Sequence, residues 1–138
     1  MRKTQKIGIV GQGFVGTAVR EGLKDYFDIE TFDIAKDSTV ESLEALCAFS
    51  DIVFVCLPTP MEKDGKCHLG IVETVLADIN QINLASTIVV KSTIPPGTTS
   101  RWNEKYKNID IVFNPEFLTE ANSIDDFKNQ NRIIIGGP

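Results

Sequence analysis

The stretch Lys6-Ile7-Gly8-Ile9-Val10-Gly11-Gln12-Gly13-Phe14-Val15-Gly16 decides the fold. A short apolar run of strand character, Lys6–Val10, passes into three glycines spaced G-x-G-x-x-G. From there Val15, Ala18, Val19, Gly22, Leu23 and Tyr26 recur at helical spacing, a stripe expected to face a sheet. A strand that enters a helix through glycines is the opening of a β-α-β unit. The same alternation continues outward. Further strands are expected at Ile29–Asp33, Ile52–Leu57, Thr87–Lys91, Asp110–Phe113 and Arg132–Ile135, several of them continuous Val/Ile runs of the kind buried on both faces.

Helical periodicity returns between these runs. Leu69, Val72, Val75, Leu76, Ile79 and Ile82 form one apolar stripe. Ser38-Thr39-Val40-Glu41 has the form of a capping box and predicts a helix starting near Thr39. Pro95-Pro96-Gly97 predicts a turn leading into a helix with Trp102 and Tyr106 four apart, and a short last helix is expected near 120–127. Strands alternating with helices specify an α/β class: a Rossmann-type, doubly wound parallel sheet of six strands. With 138 residues and no linker, repeat or low-complexity tract, residues 1–138 are expected to form a single domain.

Composition narrows the function classes. Fourteen basic against nineteen acidic side chains leave a net charge of −5, which disfavours nucleic acid as a partner. No apolar run approaches the roughly 20 residues that span a bilayer, and the opening residues lack the pattern of a signal peptide, so no membrane partner is expected. Cys47, Cys56 and Cys67 are odd in number and share no C-x-x-C spacing, which points to a reduced, cytoplasmic protein without a zinc ribbon or disulfide framework. His68 is the one histidine; with no second to join it in a metal site, it is expected to be structural.

The glycine pattern carries the chemistry. Gly11 permits a tight turn, Gly13 lets backbone approach a pyrophosphate, and Gly16 lets helix and strand pack closely, while the helix N-terminus offers unpaired N–H groups to an anion. Asp33 ends the second strand 22 residues beyond Gly11, where a carboxylate accepts hydrogen bonds from the adenosine ribose. A 2′-phosphate would be repelled there, so NAD is expected over NADP, with Lys36 as a partial offset. The bland alternative is a strand–helix turn without a ligand.

Ligands in such sheets lie beyond the carboxyl ends of the strands where strand order reverses, expected here between the first and fourth strands. Thr93 leaves the fourth strand there; alternatively, Ser92 and Thr93 merely cap the next helix. Pro58 and Thr59, within Cys56-Leu57-Pro58-Thr59-Pro60, leave the third strand and would wall the cleft. Glu116 and Glu120 follow the fifth strand four residues apart, a spacing that aligns them if the segment is helical and suits proton chemistry. As a bare pattern, a glutamate pair is more often solvated surface.

Taken in order, Gly11–Gly16, Cys56–Pro60, Lys91-Ser92-Thr93-Ile94-Pro95-Pro96-Gly97-Thr98, Asn114-Pro115-Glu116-Phe117-Leu118 and Arg132-Ile133-Ile134-Ile135-Gly136 resemble the N-terminal NAD-binding domain of the UDP-glucose/GDP-mannose 6-dehydrogenase family. The resemblance implies NAD held by Gly11, Gln12, Gly13, Phe14, Val15, Gly16, Asp33, Pro58, Thr59, Thr93 and Glu120. It implies that Thr93 and Glu120 order a water, that Glu116 joins in proton handling, and that the backbone of Phe117 and Leu118 contacts the sugar of a nucleotide sugar such as UDP-glucose or GDP-mannose. Such enzymes oxidise a C6 alcohol to a carboxylate in two hydride transfers to NAD.

This chain departs from the family at Thr119-Glu120-Ala121, where Arg-Glu-Gly is common, at His68, where an acid is common, and at Gln130, where proline is common. The family's central helix and C-terminal sugar-nucleotide domain, with the nucleophilic cysteine, are absent from these residues. A thiol is needed to trap the aldehyde, so the expectation is a domain incomplete for catalysis alone, completed by a second polypeptide or another copy. The alternative is a stand-alone NAD-binding module without turnover that serves as a sensor, a sequestering protein or a partner. Other NAD-dependent oxidoreductases of this fold, such as β-hydroxyacid dehydrogenases, are a further alternative.

Overall fold

Strands form where β-branched residues run together, and helices where apolar residues recur every three or four positions. The computed structural model describes residues 5–84 and 87–137. Its elements are β1 (Lys6–Val10), α1 (Phe14–Leu23), β2 (Asp28–Phe32), α2 (Leu43–Phe49), β3 (Ile52–Val55), α3 (Gly70–Ile82), β4 (Thr87–Val90), α4 (Thr98–Lys105), β5 (Asp110–Phe113) and α5 (Ser123–Lys128). The sheet is parallel throughout, in the order β2-β1-β3-β4-β5, with Ile7 opposite both Ile29 and Ile52 and Ile88 opposite both Val53 and Ile111.

Alternation along the strands divides the core in two. On one face Val10, Val53, Val55, Ile88, Val90 and Ile111 pack against Leu46 of α2, Val72, Leu76 and Ile79 of α3, and Trp102 of α4. Trp102 Nε1 donates to Glu73 Oε2 at 3.2 Å and the Tyr106 hydroxyl donates to the Glu73 carbonyl at 3.4 Å, so the polar tips of both buried aromatics are met by α3. On the other face Ile7, Ile9, Val19 and Cys56 form a smaller cluster, flanked by Phe54 and by Phe127 of α5. There α5 lies so close to α1 that a Cβ on Gly22 would overlap the Phe127 ring.

Several sequence expectations are corrected. The sheet has five strands among the described residues: Arg132–Ile135 forms none, and only Gly136 reaches β5, exchanging two antiparallel hydrogen bonds with Phe113 at 2.7 and 2.8 Å. Strand propensity needs pairing and burial to act, and Ile133, Ile134 and Ile135 have neither, at 69%, 44% and 66% exposed. Strand order reverses between β1 and β3, not between the first and fourth strands, because α2 carries the chain back across β1. Asp28 and Glu30 suit β2 to the sheet edge, where charges deter further pairing.

The capping box does not cap a helix. Ser38 Oγ receives the Asp33 N–H and Thr39 Oγ1 the Thr31 N–H, both at 2.7 Å, so these hydroxyls hold a loop. The cap of α2 is Ser42, whose hydroxyl accepts from the Ala45 N–H at 3.1 Å. Tyr26 falls beyond α1 and is 74% exposed instead of facing the sheet. The last helix starts at Ser123, so Glu120 lies outside it.

Candidate cofactor site

Four loops begin at one level along the sheet's carboxyl edge, because each first residue continues the backbone ladder. Gly11 N–H donates to the Phe32 carbonyl, Cys56 to Val10, Lys91 to Val55 and Asn114 to Val90, all between 2.8 and 2.9 Å. At the reversal point the glycine loop meets the β3 loop directly. A Cβ on Gly11 would overlap the Cys56 carbonyl oxygen, and Gly11 adopts φ +97°, a conformation that favours glycine.

The helix that leaves this loop is held close. A Cβ on Gly16 would overlap the Gly11 carbonyl oxygen, whereas a Cβ on Gly13 would meet nothing within 4 Å. Gly13 therefore fronts open space at the N-terminus of α1. No side chain caps that end and no acid lies in the first turn; the first helical bond runs from the Thr17 N–H to the Gly13 carbonyl at 3.0 Å. The preceding N–H groups, with the positive end of the helix dipole, suit a phosphate. Phe14 stands 40% exposed beside them, while Val15 packs into the smaller cluster and Gln12 is buried, its side chain donating to the Gly11 carbonyl.

Asp33 sits at the rim of the same opening. Its Oδ2 accepts the Gln12 N–H at 2.7 Å, and its Oδ1 accepts from the Ala35 and Lys36 N–H groups at 2.8 and 3.0 Å. Burial pushes its pKa upward, but these backbone donors outweigh burial and leave the carboxyl below its ordinary value. The group is an anion at neutral pH, and with three of its roughly four acceptor sites taken it keeps one for a ribose hydroxyl.

The neighbouring loops carry the remaining expected residues. Pro58 is exposed and Thr59 half-buried on the β3 loop, now beside the glycine loop because of the corrected strand order. Ser92 ties this loop to β4, its hydroxyl accepting from the Leu57 N–H at 3.0 Å and donating to the Leu57 carbonyl at 2.7 Å. Neither Ser92 nor Thr93 caps α4, whose cap is Gly97, and Thr93 is exposed.

Glu116 and Glu120 do not share a helical face, since the intervening segment is irregular. Glu116 is half-buried and its Oε2 accepts from the Leu118 N–H at 2.8 Å; Glu120 is exposed. No hydrogen bond joins either to Thr93 among the described residues. Phe117 and Leu118 line an open cavity of about 560 Å³ with Thr119, Asp126 and Arg132, whose guanidinium lies 5.4 Å from the Phe117 ring centre. A second cavity, about 590 Å³, lies at the opposite end of the sheet among Arg20, Lys24 and Asp28, away from the glycine loop.

Two thiols are unreactive by environment. Burial pushes Cys47 up to about 11 and Cys56 up to about 12, so both are protonated near neutral pH. His68 is exposed, its Nδ1 3.0 Å from Glu62 Oε1. One residue escaped sequence reasoning. Lys91 is 3% exposed, and its Nζ donates to Asn114 Oδ1 at 2.7 Å. Its signal was available: a lysine on the same face as Val89, at the end of an otherwise apolar strand.

Residues 29–138 match the model of the UDP-glucose/GDP-mannose dehydrogenase family, NAD binding domain. An uncharacterised protein of Methanocaldococcus jannaschii is 33% identical across 94% of this chain and 18% of its own length. UDP-glucose 6-dehydrogenase of Streptococcus pneumoniae is 28% identical across 95% of this chain and 41% of its own. Among solved structures, a UDP-glucose dehydrogenase from Pyrobaculum islandicum superposes with a TM-score of 0.85 at 24% identity, covering 98% of this chain and 41% of that one. The chain spans less than half the length of these relatives.

Proposed function

This chain belongs to the UDP-glucose/GDP-mannose dehydrogenase family, of which it carries the NAD-binding domain, and on that premise we propose that it serves the oxidation of a nucleotide sugar such as UDP-glucose or GDP-mannose at its C6 alcohol. The observation that carries the proposal is the uncapped α1 N-terminus facing open space at Gly13, with the Asp33 carboxylate at its rim. The donor set fits a dinucleotide: N–H groups for two phosphates and an acceptor for a ribose.

In this reading Gly11, Gln12, Gly13, Phe14, Val15 and Gly16 cradle the pyrophosphate, Asp33 holds the adenosine ribose, and Pro58 and Thr59 wall the cleft. NAD, when bound, supplies the hydride acceptor. Thr93 and Glu120 orient a water, Glu116 takes up the proton of the alcohol, and the backbone of Phe117 and Leu118 holds the sugar beside their cavity. The buried, protonated thiols of Cys47 and Cys56 are unsuited to trapping an aldehyde, and the half-buried Cys67 matches no functional position of the family, which supports a domain incomplete for turnover, completed by a second polypeptide or a further copy. All three cysteines are free, which suits the cytoplasm.

The same observation favours a second reading, a stand-alone NAD-binding module without turnover. Titration calorimetry with NAD, NADP, UDP-glucose and GDP-mannose tests both. NAD binding with NADP excluded is expected; no NAD binding overturns both. NADH formation that appears only with an added polypeptide supports the incomplete enzyme. NADH formation by the purified chain alone contradicts it, and NAD binding with no sugar nucleotide or partner response leaves the module.

A further inference from the structure

Lys91 stands where its strand calls for an apolar side chain. Val89, two residues earlier, points to the same face, and the surroundings of Lys91 are the smaller apolar cluster: Cys56 lies nearby and the Phe127 ring centre is 5.8 Å from its Nζ. Lys91 as a residue is 3% exposed, so its ammonium gives up hydration, and an apolar residue of similar volume at such a place is often neutral or stabilising. Fold stability alone does not account for the lysine.

Its contacts lead to one loop. Nζ donates to Asn114 Oδ1 at 2.7 Å and is 3.4 Å from the Asn114 carbonyl oxygen. The Asn114 amide then donates from Nδ2 to the Ile134 carbonyl at 2.8 Å, while its backbone N–H is held by Val90. Asn114 is thereby fixed through its main chain, its side-chain oxygen and its side-chain nitrogen. Pro115 passes that fixation on with little torsional freedom. Next comes Glu116, whose carboxylate closes back on the Leu118 N–H.

We propose that Lys91 is a positioning residue: its ammonium, through Asn114, sets the Glu116–Leu118 loop and couples it to the segment at Ile134. The functional meaning of that loop rests on the reading above; the coupling itself does not.

Amide hydrogen exchange followed by NMR on the full chain tests the coupling without cofactor or sugar nucleotide. In Lys91→Met the Leu118 and Gly136 amides should exchange about tenfold faster or more, while those of Val53, Ile88 and Ile111 keep their rates. Asn114→Asp keeps an acceptor for Lys91 but loses the donor to Ile134, and should speed Gly136 while sparing Leu118. Unchanged Leu118 and Gly136 rates in Lys91→Met overturn the proposal. So does an equal rise at all five amides, because that marks a general packing role. Should Lys91→Met not fold, Asn114→Ala, at a half-buried position, is read by the same outcomes. A chain that binds no NAD sinks the functional reading and leaves this result standing; NAD binding without selective exchange sinks this proposal alone.

Discussion

The two faces of the sheet are built differently. One is a continuous apolar layer in which α2, α3 and α4 surround Trp102, and its buried polar tips are answered by Glu73. The other, under α1 and α5, has a cluster of only four buried residues, Ile7, Ile9, Val19 and Cys56, and admits a lysine. The face with the smaller apolar cluster leads to the glycine loop, the uncapped helix end and the Lys91–Asn114 contact. Stability and ligand chemistry are thus drawn largely from opposite sides of one five-stranded layer.

The sharpest way to break this contrast is at Trp102. Trp102→Ala should cost about 3–5 kcal/mol in denaturant unfolding, while NAD affinity stays within a few-fold as long as the chain is folded. A large loss of affinity in folded protein would mean the faces are not separable. Gly16→Ala is the converse. The new methyl overlaps the Gly11 carbonyl, so NAD binding should weaken roughly a hundredfold, as a shift of about 1 Å in a site can cost, in a chain that calorimetry still finds folded.

Asp33→Asn is expected to weaken NAD by roughly tenfold through loss of a charge-assisted hydrogen bond and to narrow the preference over NADP. Its acid behaviour gives a second readout. The folded carboxyl lies below its ordinary value, so its contribution to stability is complete above the unfolded aspartate pKa of about 3.9 and is lost as pH falls through the folded value. The melting temperature of Asp33→Asn should therefore fall less steeply on the acid side than that of the parent chain. The smallest effect belongs to Ser42→Ala, about 1 kcal/mol from the lost cap of α2, with NAD binding unaltered. If Ser42→Ala is neutral in thermal melts, the cap of α2 lies elsewhere.

How legible each region was follows the same division. Lys6–Val10 and Asp110–Phe113 were readable to the residue because β-branched runs bounded by glycine, proline or charge leave little choice of element. The glycine loop was readable because each glycine answers a steric demand visible as spacing. Strand order was less so: pattern alone does not say on which side of β1 the next strand lands, and the charges of Asp28 and Glu30 acquire their meaning only once β2 is seen at the sheet edge.

Ser38-Thr39-Val40-Glu41 misled because hydroxyls that suit a helix cap suit a loop equally well, and tertiary contacts with Thr31 and Asp33 decided between them. The Glu116–Glu120 pairing failed because i, i+4 spacing means adjacency only on a helix. Lys91 was read only as the last residue of the expected strand Thr87–Lys91; its place two residues beyond Val89 hints at the sheet face, and the structure shows it buried.

Ile133-Ile134-Ile135 has a consequence for handling the protein. Three adjoining β-branched side chains open to water, beside a sheet margin closed by a single bridge at Phe113, are a template for intermolecular strand stacking. Arg132 at their start acts as a gatekeeper, and two glycines follow them, while the net charge of −5 adds colloidal repulsion. Solubility should therefore fall when salt screens that charge, and removing the Arg132 charge should bring turbidity at lower protein concentration.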